Sequence, residues 1–147
     1  MSEKDLSLEG RVVLVAGASR GIGEAAAKRM ARNGAMVICS SRKIGDCERV
    51  AEEIKSEGGK ARAMVLHLGE AEHREAAMAN IKEHEGRLDV LVNNGATSPY
   101  FGEAKDTPDD AWDTATYGPQ ILSGGFSSFN ITLKTSTDTA PVPNRVI

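Results

Sequence analysis

The residues Gly17-Ala18-Ser19-Arg20-Gly21-Ile22-Gly23 carry the clearest chemistry in this chain. They follow the apolar run Val12-Val13-Leu14-Val15 and open an Ala-rich segment from Glu24 to Gly34. Gly17 has no Cβ, so it can adopt the backbone angles of a sharp turn. Gly21 and Gly23 let an anion and the preceding strand lie close to a helix N-terminus, whose free N–H groups and partial positive charge favour negative charge. A strand, a glycine turn and a helix in that order form the setting in which such glycines hold the pyrophosphate of a dinucleotide. Ser19, Arg20 and Ile22 then belong to the same site. The alternative is a glycine-rich turn with no ligand.

A second group lies about 20 residues further on, where an Asp or Glu would bind ribose hydroxyls and favour NAD. The chain has Ser40-Ser41-Arg42-Lys43 there instead. Arg42 offers a planar fork suited to a 2′-phosphate, and Ser41 offers a hydroxyl donor. Arg20, inside the glycine turn, adds a second positive charge. Their joint placement favours NADP(H) over the alternative of two solvated surface arginines. Metal chemistry is not indicated, because His67, His73 and His84 fall on different elements without ligand spacing. No G-x-S-x-G nucleophile elbow occurs.

The elements that must position these groups alternate. Strands are expected at Arg11–Ala16, Met36–Cys39, Lys60–Leu68 and Leu88–Val92. Helices are expected at Gly21–Asn33, Asp46–Ser56 and Glu70–Glu85. Cys47, Val50, Ala51 and Ile54 give the second helix its apolar stripe, and Ala76, Ala77 and Ile81 are expected inward on the third. Strands alternating with helices imply right-handed βαβ units. The fold class is therefore α/β: a Rossmann-like, doubly wound parallel sheet of about four strands with helices on both faces, incomplete at its C-terminal side.

With 147 residues and a net charge of −3, the chain has room for one core and no electrostatic footprint for nucleic acid. No apolar run reaches membrane-spanning length. Met1 to Gly10 is polar and acidic, unlike a secretory signal. Cys39 and Cys47 lack a CxxC spacing and suit reduced structural thiols, so a cytoplasmic location is expected. From Tyr117 onward only Lys134, Asp138 and Arg145 are charged, and Ser, Thr, Gly and Pro crowd the rest. The expected division is a dinucleotide-binding domain over 1–115 and an atypical, irregular tail over 116–147. Within that tail Phe126, Phe129, Ile131 and Leu133 suit one short strand, and Asp109 to Thr114 suits the start of a helix.

The spacing G-x-x-x-G-x-G resembles the glycine motif of the short-chain dehydrogenase/reductase family, with Ala16 where that family often has Thr. Asn93-Asn94-Gly95-Ala96 is similar to the family's N-N-A-G turn, its last two residues exchanged. The resemblance covers roughly residues 7 to 115. It implies hydride transfer between a nicotinamide cofactor and a carbonyl or alcohol. It also implies an adenine-binding role at the end of the third strand, where the family commonly has Asp and this chain has His67-Leu68. His67 could accept a hydrogen bond from the adenine amino group or simply cap the strand, and Leu68 offers backbone and apolar contact. Asn93 and Gly95 would line the cofactor while supporting the turn. The runs Ser40-Ser41-Arg42-Lys43, His67-Leu68-Gly69 and Pro99-Tyr100-Phe101-Gly102 look most like the NADP-dependent carbonyl and retinal reductase branch.

The family's Asn-Ser-Tyr-Lys catalytic group is not matched, so no catalytic residue is assigned. The Asn position, seven residues after Trp112, is Pro119, and no Tyr-x-x-x-Lys occurs. Three accounts follow. The first is a truncated reductase whose reading frame shifts near Ala115, inactive alone. The second is a non-catalytic NADP(H)-binding regulatory module. The third is an interaction protein, a homo-oligomer or one partner of another chain, pairing through the exposed fourth-strand edge of an unfinished sheet.

Overall fold

In the computed structural model, described for residues 7–95, Asp106 and the backbone of 130–133, the apolar runs become the strands of a single sheet. The elements run β1 (Val12–Ala16), α1 (Gly21–Arg32), β2 (Met36–Ser41), α2 (Ile44–Ser56), β3 (Lys60–Val65), α3 (Ala71–His84), β4 (Val90–Asn93) and β5 (Asn130–Leu133). The sheet order is β3-β2-β1-β4-β5. The first four strands are mutually parallel, with Val13 opposite both Val37 and Val90. The chain reverses its winding at β1: β2 and β3 lie on one side, β4 on the other.

Strand alternation divides the core in two. Val13, Val15, Val37, Cys39, Val90 and Val92 pack with the buried faces of α1 and α2, where Ala27, Ala31, Cys47, Val50, Ala51 and Ile54 project inward. Val12, Leu14, Ile38, Met64 and Leu91 turn the other way and meet Ala77 and Ile81 of α3. Both faces of the sheet are covered, which is why β1 is buried at every position. The expected stripe of α2 is therefore found. On α3 the expectation was too generous, because Ala76 is exposed and only Ala77 and Ile81 are buried. They are four apart, one above the other on a single narrow face.

The lower end of the sheet is pinned by Asp89. Its carboxylate accepts hydrogen bonds from the Val12 N–H at 2.8 Å, from Arg11 at 3.3 Å and from Arg87. Its own N–H donates to the Val12 carbonyl at 2.9 Å. Burial would raise the Asp89 pKa, but the Arg87 guanidinium and the Val12 N–H outweigh it and hold the carboxyl below its ordinary value.

β5 meets one expectation and corrects another. The short strand expected around Ile131 and Leu133 is found at Asn130–Leu133, and it pairs antiparallel with β4, Val92 opposite Ile131, where the fourth-strand edge was expected to be exposed. The outer edge of β4 is thus occupied by this chain. The helix expected at Asp109–Thr114 and the rest of the tail lie outside the described residues. No helix among the described residues is long and apolar enough to cross a membrane.

Candidate functional site

The C-terminal ends of β1, β2, β3 and β4 rise to one edge of the sheet, and the residues expected to bind the cofactor lie there, on the strand ends, the loops that follow them and the first turn of α1. In a doubly wound sheet that edge, beside the strand where the winding reverses, is where ligands bind. Gly17 follows β1 and docks onto β2: its N–H and that of Ala18 both donate to the Ser40 carbonyl, at 2.8 and 3.0 Å. Ser40 is fully buried, and its hydroxyl donates back to the Val15 carbonyl at 3.1 Å. These bonds set the glycine turn directly alongside Ser41 and Arg42.

From the other side the β4 turn clamps it. The Asn94 N–H donates to the Ala16 carbonyl at 3.0 Å, and the Asn94 amide nitrogen donates to the Gly17 carbonyl at 3.2 Å. The need for glycine follows from this packing. Gly17 sits at φ +82°, and a Cβ there would lie 2.7 Å from the Asn94 carbonyl oxygen. A Cβ at Gly23 would overlap the Gly17 carbonyl oxygen and fall 2.7 Å from the Asn94 amide nitrogen. Gly21 faces open space instead, with no atom within 4 Å of its Cβ position. The turn is tight where it meets protein and empty where α1 begins.

No side chain caps that beginning. Arg20 occupies the N-cap position in an extended conformation, without a side-chain cap bond. The first N–H groups of α1 are left for an external acceptor. Ile22, on the first turn, is 66% exposed, an apolar group standing beside polar N–H donors. Arg20 and Arg42 are both exposed, and among the described residues neither forms an ion pair. Together these features form an anion cradle with two free cations at its rim. The site fits a phosphorylated dinucleotide.

Ser41 serves its own turn. Its hydroxyl donates to the Lys43 carbonyl at 2.6 Å and accepts the Cys47 thiol hydrogen at 3.2 Å, so it orders the segment bearing Arg42. Beyond β3, the Leu66 N–H donates to the Ser41 carbonyl at 2.9 Å, bringing His67 and Leu68 to the same edge. Arg74 holds the Leu68 carbonyl at 2.6 Å. The Leu68 side chain lies against Gly95, leaving no room for a Cβ there. His67 Nδ1 is buried without a hydrogen-bond partner among the described residues, since Glu70 stands off at 3.8 Å. Asn93 is buried at the end of β4, in register with Ala16.

Asn94, read in the Asn93-Asn94-Gly95-Ala96 turn but not placed among the cofactor-binding residues, clamps the glycine turn with its side chain. One contributor was not foreseen. Arg49, on α2, reaches the Ser19 carbonyl at 3.1 Å. The Asn-Asn pair signalled Asn94; nothing local signalled Arg49. Among the described residues no group of three or more His, Cys, Asp or Glu side chains is arranged to hold a metal.

An uncapped helix behind a glycine turn, at the point where a doubly wound parallel sheet reverses, defines a nucleotide-binding protein of the Rossmann type. The family model described as short chain dehydrogenase matches residues 11–117, and the chain belongs to that family. It is 41% identical over 106 residues to the Bos taurus protein named dehydrogenase/reductase SDR family member 4, covering 72% of this chain and 38% of the bovine one. A metagenomic short-chain oxidoreductase solved in complex with NADP superposes with a TM-score of 0.72 at 32% identity, over 78% of this chain and 54% of that one. Pseudomonas aeruginosa RhlG, in an NADP active-site complex, gives a TM-score of 0.69 at 30% identity, over 76% of this chain and 43% of its own. The chain spans well under half the length of the bovine relative.

Proposed function

We propose that this chain binds NADP(H) and is the cofactor-binding part of a short-chain dehydrogenase/reductase-type oxidoreductase. The observation that carries this is the glycine turn held between Ser40 and Asn94, with the open N-terminus of α1 beside it and Arg20 and Arg42 at its rim, unpaired among the described residues. The N–H groups of Gly21, Ile22 and Gly23 hold the pyrophosphate, Gly21 leaving the space it needs. Arg20, Arg42 and Ser19 face the 2′-phosphate, and Ser41 orders the turn that presents Arg42. Leu68, seated on Gly95, gives the adenine an apolar wall, and His67 accepts from its amino group. Asn93 closes the floor beside β1. Bound NADPH supplies a hydride for a carbonyl carbon; the residues named here bind and orient.

The finer reading is the NADP-dependent carbonyl and retinal reductase branch, supported by the runs at Ser40–Lys43 and His67–Gly69. A cytoplasmic location belongs to the same proposal, supported by the two buried free thiols. We propose further that the chain alone does not reduce carbonyls, because no Tyr-x-x-x-Lys proton donor is present in it. Mixing it with NADPH and a panel of aldehydes and ketones tests both statements at once. Saturable binding without oxidation is expected. Steady oxidation would refute the inactivity, and absence of binding would refute the cofactor site.

A further inference from the structure

Arg49 projects from α2, thirty residues beyond Ser19, yet its guanidinium reaches both the glycine turn and the first turn of α1. One guanidinium nitrogen donates to the Ser19 carbonyl at 3.1 Å and to Glu24 at 2.9 Å. The other donates to Glu53 at 2.8 Å and to Glu24 at 3.3 Å. Lys28 closes the ring, lying 2.6 Å from Glu24 and 2.5 Å from Glu53. Two cations and two carboxylates thus form a closed square joining α1 to α2.

Two consequences reach the cofactor edge. The Ser19 carbonyl is turned toward α2. In a planar trans peptide the Arg20 N–H must point the opposite way, so Arg49 fixes the orientation of the peptide that carries Arg20. Glu24, meanwhile, stands in the first turn of α1, where its charge would oppose an incoming phosphate. Arg49 and Lys28 cancel that charge. Arg32 makes a useful contrast: it also bridges α1 to α2, through Glu57 at 2.9 Å, but at the far end of the helices and with no link to the turn.

Resting on the NADP(H) reading above, we infer that Arg49 is a positioning residue that sets the preference for NADPH over NADH, by fixing the Ser19–Arg20 peptide and neutralising Glu24. It acts through Arg20 without touching the cofactor. A paired surface arginine is ordinarily worth little. Its effect here is on where another cation stands.

The test measures equilibrium dissociation constants for NADPH and NADH on the wild-type chain and on Arg49→Ala, Arg49→Lys and Arg32→Ala, with a melting curve for each. Arg49→Ala should weaken NADPH by roughly ten-fold and NADH by no more than about three-fold, the loss of one charged hydrogen-bonding group. Arg49→Lys, which restores charge without the fork, should give an intermediate ratio. Arg32→Ala should leave the ratio unchanged. Equal loss of both dinucleotides in Arg49→Ala, or no loss in a folded protein, overturns the inference while leaving the site intact. Binding of neither dinucleotide by the wild type overturns the inference and the site together. If Arg49→Ala does not fold, Arg49→Lys decides: a shifted ratio supports the inference and an unshifted one overturns it.

Discussion

Replacing Gly23 with Ala probes the glycine turn at its tightest point. The new methyl would overlap the Gly17 carbonyl oxygen and lie 2.8 Å from the carbonyl carbon and 2.7 Å from the Asn94 amide nitrogen. Two of these three atoms are backbone, held by Ser40 and Asn94, so no rotamer change relieves the contact. Forcing one extra carbon into a packed site costs about 1–3 kcal/mol, and backbone neighbours put this case near the upper end. Ala is a better helix residue than Gly by about 1 kcal/mol, which offsets part of it. The net loss is about 2 kcal/mol, or a melting temperature lower by about 8 °C for a domain of this size. Gly45, on the first turn of α2, is the internal control: no atom lies within 4 Å of its Cβ position. Gly45→Ala should therefore stabilise, by about 0.4–1 kcal/mol. Thermal melts and NADPH titrations of both variants supply the readout. Gly23→Ala should also bind NADPH at least ten-fold more weakly, because the turn must open to admit the methyl. A Gly23→Ala protein with wild-type stability and affinity would refute the reasoning.

Other substitutions and conditions separate the remaining parts. Arg42→Ala should weaken NADPH by roughly ten-fold or more and leave NADH nearly unchanged, as expected for a lost charge-assisted phosphate contact; parallel titrations would show it, and an equal effect on both would count against a 2′-phosphate role. Asp89→Ala leaves the buried Val12 N–H without its acceptor and frees two arginines, so chemical denaturation should reveal a loss of about 2–4 kcal/mol, with Asp89→Asn losing less. Glu24, held at about 2 by Arg49 and then Lys28 against a usual 4.5, is ionised more readily folded than unfolded. Its stabilisation is complete above about pH 4.5 and disappears as the pH falls toward 2. Melting curves across that range should therefore slope less steeply for Glu24→Gln than for the wild type. Burial pushes the Cys39 thiol up to about 12 and raises that of Cys47 as well, so neither should react with a thiol reagent at neutral pH until the protein unfolds.

Much of this architecture was legible because its signals are local. The run Val12–Val15, the glycines after it and the Cys47, Val50, Ala51, Ile54 stripe each report a structure formed within one turn or strand. Boundaries were less so. α2 begins at Ile44, two residues before the expected Asp46, and β3 ends at Val65 while the sequence stays apolar through Leu66. β2 extends to Ser41, beyond the expected Cys39, because Ser40 still pairs with both neighbours and Ser41 with β3, where hydrophobicity stops. Contacts set by the fold were not legible at all. Nothing around Arg49 says that it will meet Ser19, and nothing around Ile131 says that it will pair with Val92. Gly95 illustrates the middle case: the sequence marked it as a place of close approach, and the neighbour turns out to include Leu68 of this same chain.

Direct titration of the purified chain with NADPH, followed by nicotinamide fluorescence and repeated with NADH, bears on the central claim most immediately. The account predicts one saturable site for NADPH in the micromolar range and weaker binding of NADH. No saturation, or tighter binding of NADH, would contradict it.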